Sequence, residues 1–225
     1  PIRYCYVELV GLVVFASLFL YELVTGAANV PGFQHYHYAG ILWIIMYAKW
    51  PVIGVYFFHC LLFSCILMLA LMEQDRLRIP IRMMIALLVA FAAIAIVFPA
   101  MLTVSLGAQT PFQFPVTAPG WIDRAATCLS GGVLGWAIGS FAESTHLHRR
   151  QPSSSIMFAF TLVGLALGWQ AVLTIAVLWW VVLLMLKSAH QKFAVPRWLT
   201  ATTLLFTVAM LHHPAWKWLA GQLTL

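Results

Sequence analysis

Residues 52–72 read VIGVYFFHCLLFSCILMLALM, 21 positions without a single charged side chain. A helix of that length rises about 30 Å, which matches the hydrocarbon core of a bilayer. The same reading works outward along the whole chain. Of its 225 residues, 63% are hydrophobic and only 8% are charged, where a soluble domain carries about 25% charged residues. The mean hydropathy is +0.94. A soluble fold must still cover itself with polar groups, so this composition excludes nucleic-acid-binding modules, secreted disulfide scaffolds and disordered linkers.

The apolar runs predict an all-α, polytopic transmembrane helical bundle of about seven spans, built as a single membrane domain over residues 1–225. The expected spans are 6–25, 52–72, 80–100, 124–142, 155–168, 170–187 and 197–213. Residues 39–50, which carry Trp43, Tyr47 and Trp50, read as an interfacial or re-entrant segment. Residues 101–122, with Pro111, Pro115, Pro119 and Gly120, read as irregular loop. The chain opens at Pro1, not Met, so residues upstream are expected to be missing. The first apolar run passes directly into a full-length span, without the pattern of a cleavable signal peptide.

Charge sets the expected orientation. With the N-terminus cytoplasmic, one side receives Arg3, Arg76, Arg78, Arg82, Arg149, Arg150, Lys187, Lys192 and Arg197, and the other receives Lys49, Arg124 and Lys217. That bias follows the positive-inside rule. The net charge of +6 is therefore a topology signal and not a polyanion-binding patch. The fifth and sixth spans are short, the fifth about 21 Å of helix, so neighbouring helices must shield them or the bilayer must thin around them. Gly131, Gly135 and Gly139, four residues apart in the fourth span, form a stripe that allows another helix backbone to approach closely. Cys5, Cys60, Cys65 and Cys128 have no C-x-x-C spacing and read as small apolar fillers.

Three stretches, in order, resemble one family. Pro1-Ile2-Arg3-Tyr4-Cys5-Tyr6-Val7-Glu8-Leu9 resembles the P-I-…-R-Y-P-x-V-E-L stretch that leads into the first span of bacterial type IV prepilin peptidases. Leu69-Ala70-Leu71-Met72-Glu73-Gln74-Asp75, followed by Pro80, resembles that family's A-L-I-D-x-D/E-x-x-x-x-P segment. Gly164-Leu165-Ala166-Leu167-Gly168-Trp169-Gln170-Ala171-Val172-Leu173 resembles its I-G-A-F-L-G-W-Q-A-V-L. The resemblance implies a multi-pass protein of the bacterial inner membrane. Family members are aspartic endopeptidases that remove prepilin leaders, and many also methylate the new N-terminus with S-adenosylmethionine. Their two catalytic carboxylates sit at the cytosolic ends of two helices, where a shared proton lets one act as base and the other as acid.

This chain departs from that pattern at both positions. The first aspartate falls on Glu73, and Asp75 matches the second, non-essential acid of the same segment. Counting back from Gly168-Trp169-Gln170 places the family's Gly-Gly-Gly-Asp on Ser153-Ser154-Ser155-Ile156, so the second aspartate is lost at Ile156. An apolar side chain has no proton to exchange, and the dyad is gone. The zinc-binding Cys segment of many family members would precede Pro1.

Only six acids exist, so the search for substitutes is complete. Glu22 and Asp123 belong to the outer side. Glu8 sits just inside the first span, either as a functional group or snorkelling to the interface. Glu73 or Asp75 could pair with Glu143, although all three also read as solvated helix-end charges, whose exposed ion pairs contribute about 0–1 kcal/mol. Six of the eight histidines fall in His35-Tyr36-His37, His146-Leu147-His148 and His212-His213, and a seventh, His59, lies inside the second span. No pair has i, i+4 spacing and no acid adjoins them, so they read as interfacial polar residues, with no metal site expected. His59 reads as a hydrogen-bonded packing histidine, with a pigment ligand as the alternative.

Two readings follow. In the first, the chain is a catalytically inactive scaffold subunit of a membrane complex. Its partners are other integral membrane proteins, contacted through lipid-facing aromatics such as Trp136, Trp179 and Trp180. No cofactor is expected, and the family's S-adenosylmethionine has no support in these residues. In the second, it is a divergent prepilin peptidase using Glu73 or Asp75 with Glu143. A small transporter is disfavoured, because the sequence has no inverted repeat and no polar constellation at mid-span.

Overall fold

A computed structural model describes residues 2–24, 50–98, 120–145, 154–190 and 200–223, and every regular element among them is helical. Seven α-helices follow in chain order: α1 (Ile2–Leu18), α2 (Trp50–Gln74), α3 (Ile81–Val97), α4 (Trp121–Thr145), α5 (Ser155–Leu167), α6 (Trp169–His190) and α7 (Ala201–Leu223). A π-helical turn, Phe19–Val24, continues α1. The stretches Cys5–Val24, Val52–Gln74, Trp121–Ser144 and Trp169–Ser188 are long and apolar enough to cross a membrane. Helices α3 and α5 are apolar but shorter. Of the interfacial segment expected at 39–50, all but Trp50, which opens α2, lies outside the described residues, as do His35, His37, His146, His148 and most of the 101–122 loop.

Short α5 is the centre of the bundle. It touches α2, α3, α4, α6 and α7, and nearly all its side chains, from Ser155 through Ala166, are buried. Shielding by neighbours, one of the two expectations for the short spans, is what the fold uses for α5; α6, expected to be short as well, instead runs on past Lys187 to 22 residues. The glycine stripe supplies the closest approach. Gly131 lies against Gly164, Gly135 against Phe160 and Gly139 against Met157, so α4 and α5 run antiparallel with their backbones in contact. A side chain on this face of α4 would run into the α5 backbone, which is why glycine recurs there every four residues.

Helix ends are tied together by polar groups. Helix α2 stops in a Schellman turn: the Leu77 amide donates to the Met72 carbonyl at 2.9 Å, and Arg76 adopts φ 55° where glycine is usual. At its far corner, α3 presents the Ile96 carbonyl to the Nε–H of Arg124, 2.9 Å away at the start of α4. Helices α5 and α6 are separated by Gly168 at φ 85°, a conformation that glycine adopts without steric cost. Many of the outward positions are large and apolar, among them Leu12, Phe57, Val89, Val133, Leu184 and Leu211. Such a surface suits hydrocarbon and not water.

Candidate functional site

The acids singled out in the sequence do not converge. Glu73 is partly buried at the end of α2, and its Oε2 accepts a 3.0 Å hydrogen bond from the Thr202 backbone amide in the first turn of α7. Thr200 Oγ1 accepts from the Thr203 amide of the same turn. Two of the amides that a helix start leaves without intrahelical partners are thus satisfied, one by a local cap and one by a carboxylate from another helix. The negative charge also complements the positive end of the α7 dipole. Glu73→Ala is therefore expected to lower stability by about 1 kcal/mol, read as a shift of the unfolding midpoint in detergent. Glu73→Gln, which keeps an acceptor oxygen, should lose less.

Asp75 is exposed just beyond α2, and Glu143 is partly buried in the last turns of α4. Ile156, where the lost aspartate is expected, is 3% exposed and belongs to the apolar core. Glu8 points outward from α1. Among the aromatic residues expected to face partners, Trp136 is exposed and Trp180 is partly buried, but Trp179 is fully buried. That expectation is corrected for Trp179: its ring stands edge-on to Phe160 of α5 at 5.5 Å, and its indole N–H donates to the Ala201 carbonyl. Neighbouring helix positions project about 100° apart, so one of two adjacent tryptophans can turn inward while the other meets the rim.

At the opposite end of α2 the structure assembles a cluster that the sequence did not single out. His59 Nδ1 is hydrogen-bonded to Glu22 Oε1, and His213 Nε2 bonds the same oxygen at 2.7 Å. All three residues are buried, Glu22 completely. The three come from the π turn after α1, from α2 and from α7. The π turn widens the helix by one residue per bond, and such turns recur at functional sites; here it carries Glu22 and Leu23 inward. On α7, His213 immediately precedes Pro214, whose missing N–H breaks the intrahelical bonding pattern at this level.

The rings are held by neighbours. His59 and His213 meet edge-to-face with centroids 4.5 Å apart, Tyr21 stands against His213 at 5.4 Å, and Phe63 closes on it at 5.7 Å. Adjacent His212 points elsewhere, to Thr174 Oγ1 on α6 at 2.8 Å. The expectation that no acid adjoins the histidine clusters is thus overturned at His213, and His59 shares the same acid. Both are buried with Glu22 as shared partner, in place of the interfacial setting expected for the His212-His213 pair. His59 is hydrogen-bonded, as expected of it, and the partner is Glu22.

No family model, curated protein or solved structure matches the chain. The site must therefore be understood from its own geometry. Helices α2 and α7 run antiparallel, since Glu73 meets Thr202 at one end while His59 meets His213 at the other. From His59 to Glu73 along α2 is about 20 Å. The carboxylates of Glu22 and Glu73 thus mark two separate levels of the bundle, and each binds helices together.

Proposed function

We propose that the chain is a non-catalytic membrane subunit, a helical scaffold that resembles the prepilin peptidases in framework but not in chemistry. The observation that carries this reading is the use made of the two positions where that family keeps its aspartates. Glu73 caps α7 through the Thr202 amide, and Ile156 fills the core. An acid–base pair needs two carboxylates within reach of one water, and a carboxylate engaged in holding a helix start is a poor proton shuttle. The topology that accompanies this reading has the N-terminus in the cytoplasm of a bacterium and the α2–α3 turn, with Arg76, Arg78 and Arg82, on the same side. The partners are other integral membrane subunits.

The test has two parts. Reconstituted with a prepilin substrate in proteoliposomes, the protein is expected to release no leader peptide above the background of empty vesicles. Purified gently from its native membrane, it is expected to emerge in fixed stoichiometry with another membrane protein. Leader release that disappears in Glu73→Gln or Glu143→Gln would establish the peptidase instead.

A further inference from the structure

The geometry points to a buried site for a divalent first-row transition-metal ion, formed by Glu22, His59 and His213. This assignment is independent of the scaffold reading, because none of the three residues belongs to the positions that resemble the peptidase dyad. One ligand-type atom from each residue lies within 4.8 Å of the others, and all three side chains are buried. Their convergence is not a by-product of sequence proximity: Glu22 and His213 are 191 residues apart.

A second observation concerns the carboxylate itself. Both histidines address Oε1, while Oε2 is buried with no hydrogen-bond partner among the described residues. A buried acceptor left without a partner costs about 1–3 kcal/mol, and more when charged. Among the described residues no Lys or Arg forms an ion pair with Glu22; the groups that face its Oε1 are the two imidazoles, which carry charge only when protonated. A cation seated between the two ring nitrogens and the carboxylate satisfies all of these at once. It takes the lone pairs of His59 Nδ1 and His213 Nε2, whose protons toward Oε1 shift to the far ring nitrogens or leave to solvent, and it compensates the charge of Glu22.

The donor set selects the class of ion. Two imidazoles and one carboxylate suit zinc, iron, cobalt, nickel or copper, whereas magnesium and calcium favour oxygen ligands. Three protein ligands leave at least one coordination position for a further group. The packed rings of Tyr21, Phe63, His59 and His213 fix the histidines in advance of the ion, so little side-chain freedom remains to be lost on binding. The ion would join the first, second and last helical segments of the described chain in one contact.

The experiment uses the full chain in mild detergent. It is stripped with chelator, then titrated with Zn²⁺ and, separately, with Co²⁺, whose visible absorption reports nitrogen and oxygen ligation. Elemental analysis of the reloaded protein is expected to give one ion per chain, with a rise in the unfolding temperature that Ca²⁺ and Mg²⁺ do not reproduce. Glu22→Gln and His59→Ala are each expected to weaken binding more than about tenfold, the scale on which even outer-shell changes act. His212→Ala, beside the site but bonded to Thr174, should bind as the parent does. If the unaltered protein takes up no Zn²⁺ and gives no Co²⁺ spectrum, the cluster is a buried Glu–His hydrogen-bond network and the assignment falls. Binding that persists unchanged in Glu22→Gln and His59→Ala would likewise overturn it, by placing the ion elsewhere.

Discussion

Gly135→Ala is expected to destabilise the bundle by about 3 kcal/mol or more, at or beyond the upper end of ordinary overpacking. The added methyl would run into the Phe160 carbonyl oxygen and would lie 2.8 Å from its carbonyl carbon and 3.1 Å from Thr161 Cα. All three are backbone atoms, so no side chain can rotate away, and relief requires α4 to move off α5. Gly131→Ala should behave alike, since its methyl would meet the Gly164 carbonyl and sit 2.9 Å from the Gly168 carbonyl carbon. Gly11→Ala on α1 is the control: its methyl would meet nothing within 4 Å. There the substitution should be neutral or slightly stabilising, because alanine is the better helix former. Denaturation in mixed micelles, followed by far-UV circular dichroism, measures all three. Equal effects at Gly135 and Gly11 would show that the helix pair is not packed in this way.

Trp179→Ala is expected to be the next most damaging change, at about 3 kcal/mol. That lies at the low end for truncating a large core aromatic. The reason is the solvent. When the competing state of the helix is still in lipid, no apolar surface is exposed to water, and what is lost is packing rather than transfer. The remaining terms are the cavity beside Phe160 and the indole hydrogen bond to the Ala201 carbonyl, which is left without that donor. Trp136→Ala, on an exposed ring, should shift the midpoint by less than about 0.5 kcal/mol. The comparison separates a tryptophan that builds the fold from one that faces its surroundings. Equal losses would remove Trp179 from the core.

The helical fold was legible because its causes are local. Uncharged runs of bilayer length define α2 and α6, and four-residue glycine spacing by itself announces that α4 admits a close helical neighbour. The short span needed only a length argument to show that it requires shelter. Glu73 could be seen as a helix-end acid, but its partner lies 129 residues away, and nothing near Glu73 indicates Thr202. The histidine cluster was illegible for the same reason, more severely. Ligands drawn from one helix leave a spacing, whereas Glu22, His59 and His213 come from three segments and leave none. The remaining signals were an acid near the end of an apolar run and a histidine alone within another, each of which is costly in a membrane without a partner. The π turn that carries Glu22 inward has no sequence signature comparable to a proline or a glycine stripe.

The cluster also imposes an order on assembly. The α4–α5 pair joins residues close in the chain, Gly139 to Met157 and Gly131 to Gly164, and can dock as soon as both helices have left the ribosome. Glu22 must wait for His213, which is made 191 residues later. Until then its carboxylate has His59 as its sole partner from the set, and the first helical segment lacks its bond to α7. The arrival of α7 is thus registered at a single carboxylate oxygen. A nascent or truncated product that ends before α7 differs from the finished protein by an incompletely compensated acid at the level of that site, and not merely by a missing helix.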